Sequence, residues 1–411
     1  MKLSAVTTLL VLSGAACALP GTGLSKRQAS KETQASIVQL AKSDPLAAAK
    51  KVLDIKNVDS ANASSWSIYN NVTGDTDSTQ VPWAPWFTPF KPSPSVDMVD
   101  GGESYKKVPS EFYMFETKNI TLKDNHGKNA TQPYYINKKL KNVKRAVLVW
   151  PGYYRDSYNY INMIGNAYNV YRKMHNIQEN NIALVAPYVL NQQDKSNGAV
   201  KDGWIYYQDD NFSVSGISVG PGNVSISAFS AMDDMIAHLA KEYPDIEKFV
   251  MVGHSLGGQT ILRYAILNHN KYGDKMKYWA GNPGTYTFLS TDRPLSKSDC
   301  DNYDEFPSGL GSNLPTYVGS ADRDSLVKQF LKRDVRIAQG LNDNGISSEA
   351  CDTMVQGHNR LERSAYFVKH LADVNGGSFP KSFSLEYVEG VSHQNYPMFA
   401  AKDSLPYIFK D

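Results

Sequence analysis

Cysteine is nearly absent. The 411 residues hold three, Cys17, Cys300 and Cys351, too few for a thiolate metal cage. Charge of one sign is lacking as well. Against 43 Lys and Arg stand 41 Asp and Glu, a formal net charge of +2, and no basic block stands out, so nothing points to nucleic acid. Beyond the N-terminal residues, no segment approaches the roughly 18 consecutive apolar residues of a transmembrane helix. Neither a G-x-G-x-x-G following a strand nor a GxxxxGK[ST] loop occurs, which leaves dinucleotide and phosphate-loop sites without support. Internal repeats and coiled-coil heptads are missing too. No cofactor and no metal is implied.

The chain does have ample core material. It is 41% hydrophobic and 20% charged, which fits one large globular domain or two small ones. Its start, MKLSAVTTLLVLSGAACA, places Lys2 before a short apolar run and then Ala16-Cys17-Ala18. That pattern predicts a secretory signal peptide at residues 1–18. Residues 19–27 read as a short propeptide ending in Lys26-Arg27, with the mature chain starting at Gln28. Removal of the signal leaves Cys300 and Cys351, and an isolated pair in an oxidising compartment predicts a disulfide. Asn-x-Ser/Thr triplets at Asn62, Asn71, Asn119, Asn129, Asn211 and Asn223 are candidate glycosylation sites in surface loops. All these readings point to a secreted protein.

Residues 28–110 read as an N-terminal extension, helical at first and then rich in Pro and Trp. Trp83, Trp86, Phe87 and Phe90 either pack over a core or rim a cleft. From Phe112 a strand–helix rhythm sets in. Phe112–Phe115 and Tyr134–Ile136 read as short strands, and Arg145–Trp150 as a buried one. A helix is expected over Tyr158–Met174, a strand over Asn181–Val189, and a long polar loop over Asn191–Ser225. The pattern continues with a helix at Ile226–Tyr243, a strand at Ile246–Val252, a helix at Leu256–Leu267 and a strand at Met276–Ala280. An excursion over 283–330 resembles a cap insertion. Strand Val335–Ala338, helix Gly357–Leu371 and strand Ser382–Val388 complete the series. Such alternation predicts an α/β fold, a mostly parallel sheet with helices on both faces.

The chemistry centres on MVGHSLGGQT, Met251–Thr260. Gly253-His254-Ser255-Leu256-Gly257 fits G-x-S-x-G between a buried strand and a helix. Such a turn holds the serine hydroxyl above the sheet, and the glycines two residues away on either side leave room for a tight crossing. The following helix aims its N-terminus at the serine, which favours developing negative charge. A reactive serine needs a base, and His393 lies just after the last strand. His254 is too close within the turn. His238, His269 and His370 fall in or beside helices. The base needs an orienting acid. Asp343 sits at the carboxyl end of its strand; Asp352 is the rival, with Asp322 and Asp324 earlier. Oxyanion donors are expected from the backbone N–H groups of Leu256 and of Tyr153, in WPGYYRD, with Tyr154 as the alternative to Tyr153. Arg360 and Arg363 share a helix face, which a helix start, structural salt bridges or loop anchoring explain better than catalysis. Asn282–Tyr286, Trp204 and Tyr206 are either cleft lining or packing.

The order Ser255, Asp343, His393 in this strand–helix setting resembles the α/β-hydrolase fold, and more narrowly a secreted fungal α/β-hydrolase of the lipase/esterase type. The resemblance covers about residues 111–409. It departs from the common HGGG oxyanion loop, with Trp150-Pro151-Gly152-Tyr153 in its place. It implies attack of Ser255 on an ester carbonyl, with His393 as base and Asp343 as its orienter, on a small-molecule or lipid substrate. Amidases, peptidases and transacylases use the same triad, and the fold also hosts non-catalytic binding proteins.

Overall fold

The computed structural model describes residues 30–55, 90–99, 104–177 and 180–410. The expected signal peptide, the Lys-Arg pair, Trp83, Trp86, Phe87, Asn62 and Asn71 lie outside them. Among the described residues, no helix is long and apolar enough to cross a membrane.

Nine strands form one mixed sheet. In chain order they are β3 (Glu111–Phe112), β4 (Phe115–Lys123), β5 (Asn129–Asn137), β6 (Arg145–Trp150), β7 (Ile182–Pro187), β8 (Lys248–His254), β9 (Met276–Gly281), β10 (Asp334–Gly340) and β11 (Phe383–Val388). Across the sheet they run β11-β10-β9-β8-β6-β7-β5-β4-β3. The pairs from β7 to β11 are parallel, and β5, β4 and β3 continue antiparallel at one edge. A separate antiparallel pair joins β1 (Asp97–Met98) to β2 (Tyr105–Lys107).

The sheet is sandwiched because its central strands are apolar on both sides. Every residue of β6 is buried. Its alternate residues serve different cores: Ala146, Leu148 and Trp150 join one, Val147 and Val149 the other. The first face carries α5 (Ala228–Glu242), α6 (Leu256–Leu267), α7 (Arg323–Phe330) and α9 (Arg360–Val374). The second carries α3 (Ser157–Met174), α10 (Asn395–Phe399) and α11 (Ser404–Phe409). Strand order, direction and layering are those of the α/β-hydrolase fold.

The N-terminal helices belong to the same body. Ser30 caps α1 (Lys31–Ser43), and Asp44 caps α2 (Pro45–Leu53), which has its proline in the first turn. Helix α1 packs on β11 and α2 on α9, burying Ile37, Ala48 and Val52 in the first core.

Local expectations need correction in four places. Phe112–Phe115 is not one strand: Tyr113 takes a positive φ of 47° and the chain turns back into β4. Strands β4 and β5 each run nine residues, longer than expected; polar residues alternate along β4, and β5 extends its buried centre with polar Asn129, Thr131, Gln132 and Asn137. The 191–225 segment is not all loop. Asn191 caps α4 (Gln192–Ser196) with a reciprocal box, and a 3-10 turn spans Asn211–Val214. Asn119 lies within β4 and Asn129 opens β5, neither of them in a loop; both are exposed, as are Asn211 and Asn223. Between β9 and β10 the excursion ends in α7, which starts at Arg323. A disulfide joins Cys300 of this segment to Cys351 in α8 (Cys351–Met354), with Cα atoms 5.5 Å apart.

Candidate active site

Ser255 stands where β8 meets α6, with φ 60° and ψ −126°. For a non-glycine residue that conformation is strained and has to be held by its surroundings. Here the Ser255 N–H donates to the Gly281 carbonyl of β9 at 2.9 Å. The flanking glycines are steric necessities. A Cβ on Gly253 would lie 2.2 Å from the Gly257 carbonyl oxygen, and one on Gly257 2.5 Å from that of Trp150.

The structure brings the three sequence-derived residues together. Ser255 Oγ lies 2.8 Å from His393 Nε2, and His393 Nδ1 lies 2.8 Å from Asp343 Oδ2. A carboxylate only accepts, so Nδ1 carries the ring proton and Nε2 is left to accept from the serine hydroxyl. The acid arrives from the end of β10 and the histidine from the loop after β11. These loops are zipped to each other: the Leu341 N–H donates to Val388 O and that of Asn342 to Val391 O, each at 2.9 Å.

Asp343 is buried, which by itself would raise its pKa. The His393 contact, the Arg360 charge and the Gln339 amide outweigh burial and hold its carboxyl below the ordinary value. Arg360 Nη1 lies 3.3 Å from Oδ1, and Gln339 Nε2 donates to Oδ2 at 3.3 Å. Of the expected alternatives Arg360 is thus the salt bridge, with the candidate acid as its partner, and Arg363 the loop anchor, donating to Gly357 O, Gly284 O and Ser347 Oγ. The rival acids are engaged elsewhere. Asp352 accepts from Ser308 Oγ at 2.6 Å, Asp322 caps α7, and Asp324 is exposed in the first turn of that helix.

His254 points beneath the site. It is buried between Tyr160, whose hydroxyl is 3.3 Å from Nδ1, and Asn282, whose Nδ2 is 3.3 Å from Nε2. Asn282 Oδ1 accepts from the Gly340 N–H at 2.7 Å, and Nδ2 donates to Ser392 O at 2.8 Å. Those two bonds fix the amide's orientation, so Nε2 of His254 accepts and Nδ1 bears the proton. Burial, reinforced by His393 and Arg360, holds the imidazole far below its ordinary pKa, and it stays neutral. One side chain, Asn282, therefore braces the residue before the serine, the strand end before the acid and the residue before the histidine. Its sequence signal is an asparagine before proline at a strand's end, with φ 44°. Gln34 of α1 gives no such signal. It donates to Asn342 Oδ1 at 3.2 Å and accepts from the Gly390 N–H at 2.8 Å, joining the acid and histidine loops.

The other histidines stand apart. His238 bonds to Tyr134, His370 accepts from the Leu289 N–H, and His269 is exposed. Trp204 packs edge-on to Tyr188 in the second core, which settles it as packing. Phe90 is likewise buried against Tyr396.

Ser255 and His393 open on a cavity of about 410 Å³ whose wall also includes Tyr153, Tyr154, Leu256, Gln259, Ser347 and Arg360. Both residues expected to supply oxyanion donors, Tyr153 and Leu256, are on that wall. The loop bearing Tyr153 is pinned by the Tyr105 hydroxyl on Tyr154 O at 2.6 Å and by Arg155, which grips the buried Asp194 through two nitrogens. Among the described residues, no His/Cys/Asp/Glu cluster has the geometry to hold a metal ion.

No family model matches the chain, and no curated protein matches it. Solved structures do resemble it. Poly(aspartic acid) hydrolase-1 from Sphingomonas sp. KT-1 is 20% identical, with 72% of this chain and 98% of that chain covered and a TM-score of 0.49. The poly(3-hydroxybutyrate) depolymerase LpqC from Bordetella parapertussis is 18% identical, with 71% and 89% covered and a TM-score of 0.48. The Pyrococcus furiosus esterase Pf2001 is 11% identical, with 74% and 95% covered and a TM-score of 0.40. The fold assignment rests on the strand order and the serine turn themselves.

Proposed function

We propose that the protein is a secreted serine hydrolase that cleaves carboxylic esters through an acyl-enzyme. The observation that carries this reading is the unbroken relay from Ser255 through His393 to Asp343, with both links at 2.8 Å, opening on a cavity. Ser255 Oγ attacks the ester carbonyl and its proton passes to His393 Nε2. Negative charge on the carbonyl oxygen is met by the Leu256 and Tyr153 N–H groups. As the acyl–oxygen bond breaks, the alcohol leaves with the proton from His393. Water then enters, gives a proton to His393 and releases the acid, restoring Ser255. The signal-like start, the Cys300–Cys351 disulfide and the four exposed glycosylation triplets support the extracellular setting.

The test uses protein recovered from culture medium, with its N-terminus read at Gln28. A fluorophosphonate probe is expected to label this protein and to fail on Ser255→Ala. If the native protein stays unlabelled where a known serine hydrolase is labelled, the reading is wrong.

A further inference from the structure

The cavity above Ser255 does not end at the Tyr153–Tyr154 wall. A second cavity of about 370 Å³ lies beyond, sharing Tyr153, Tyr154 and Asp210 with the first and adding Ser104, Arg155, Asn191, Gln193 and Asp209. Each is large enough for a small-molecule group. All eight residues around the second cavity carry a hydrogen-bonding side chain, and none is aliphatic. A fatty chain placed there would strip water from polar groups without replacing their hydrogen bonds.

The wall is wired as a network. Asn191 Nδ2 donates to Gln193 Oε1, Gln193 Nε2 reaches Asp209 Oδ1 at 3.5 Å, and Gln208 Nε2 donates to Asp209 Oδ2 at 2.9 Å. Such a surface offers donors and acceptors side by side. An ammonium donates only and would use half of it. Arg155 is bonded to Asp194 and also acts on Asp209, and the buried Arg263 faces the charge of Asp210, so neither sign dominates the wall and neither an ammonium nor a phosphate is singled out. Hydroxyl groups donate and accept alike and carry no charge. The Tyr153 ring, 55% exposed, adds an aromatic surface for the carbon skeleton.

We propose that this second cavity binds the alcohol portion of the substrate, and that this portion is a neutral polyol. The inference rests on the ester-hydrolase reading above and deepens it. The acyl group bonds to Ser255 Oγ, the ester's acyl–oxygen bond breaks, and the polyol departs through its own pocket with the proton from His393.

Matched acetates test the proposal. myo-Inositol monoacetate is compared with cyclohexyl acetate, the same ring without hydroxyls, and glycerol monoacetate with propyl acetate. At least one hydroxylated ester is expected to exceed its counterpart in kcat/KM by about tenfold or more, mainly through KM. A preference in the first pair alone marks a cyclic polyol, and one in the second pair alone a linear one. Gln193 lines the second cavity but not the first and is exposed, so Gln193→Leu, which gives up one hydrogen bond from Asn191, is checked for an unfolding midpoint near that of wild type before assay. In that variant the preference is expected to shrink to about threefold or less. Equal turnover within both pairs, or a preference that survives Gln193→Leu, overturns the proposal. Probe labelling and p-nitrophenyl acetate turnover by the wild-type protein separate the two levels. If both are present without a polyol preference, only this inference falls; if both are absent, the hydrolase reading falls with it.

Discussion

Replacing Asp343 by Asn tests the site at its most constrained point. Three donors converge on this carboxylate: His393 Nδ1 at 2.8 Å and Gln339 Nε2 at 3.3 Å on Oδ2, and Arg360 Nη1 at 3.3 Å on Oδ1. Asparagine has one acceptor oxygen and one donor group, so in either orientation its NH2 meets a donor. If the oxygen stays on His393, the amide NH2 confronts a buried arginine that has lost its countercharge. If it flips, Nδ1 must accept, the ring proton moves to Nε2, and Ser255 loses its base. The imidazolium formed during attack also loses a neighbouring negative charge. Loss of the orienting acid in a serine triad lowers kcat by about 10⁴, equivalent to about 5 kcal/mol. Removing one partner of a buried ion pair costs about 3–5 kcal/mol of stability. Asp343→Asn is therefore expected to lose about three to four orders of magnitude in kcat on p-nitrophenyl acetate and to unfold at lower temperature. The Asp352 carboxylate accepts from Ser308 Oγ at 2.6 Å, and Asn keeps an oxygen for it, so Asp352→Asn should stay within about threefold of wild type. Both variants are assayed well below their unfolding midpoints. A greater loss in Asp352→Asn, or more than a tenth of wild-type kcat in Asp343→Asn, refutes the assignment of the acid.

Two further outcomes follow. Asn282→Asp keeps the acceptor for the Gly340 N–H but cannot donate to Ser392 O or His254. With about 1–3 kcal/mol at stake for each buried polar group left unmatched, kcat should drop by about ten- to a hundredfold while KM stays within about threefold; an unchanged kcat removes Asn282 from the positioning role. Burial holds the His370 imidazole down at about 4, against an ordinary 6.5. Its contribution is therefore complete above pH 6.5, where the unfolded side chain is neutral too, and it is lost as pH falls toward 4. The drop is about 3 kcal/mol. His370→Gln retains an acceptor for the Leu289 N–H and does not titrate, so urea unfolding at pH 7, 5.5 and 4.5 should show a shallower decline than wild type. Parallel declines would contradict this.

The sequence revealed much of the layout because the central strands are short apolar runs separated by helices with clear periodicity. The Ser255 turn was legible because its glycines are forced by contacts of under 3 Å that no side chain tolerates. His393 and Asp343 followed from their positions after the last two strands. The edge strands were harder. Polar residues alternate along β4, so it reads as loop until its pairing with β5 is known. The bracing around the site was hidden for another reason. Arg360, Asn282 and Gln34 act on groups far along the chain, and no local pattern of residues reports a partner at such a distance.

Gln34 carries that point into the order in which the chain is made. Its two partners, Asn342 and Gly390, follow it by 308 and 356 residues. Helix α1 leaves the ribosome long before the strand it packs against, β11. Contacts of such separation form late, after the intervening chain has found its place. A nascent chain that has reached Ser255 but not residue 390 therefore has its nucleophile without a base and its first helix without a floor. The two deficits end together, once the segment carrying β11 and His393 has been made and α1 closes onto it.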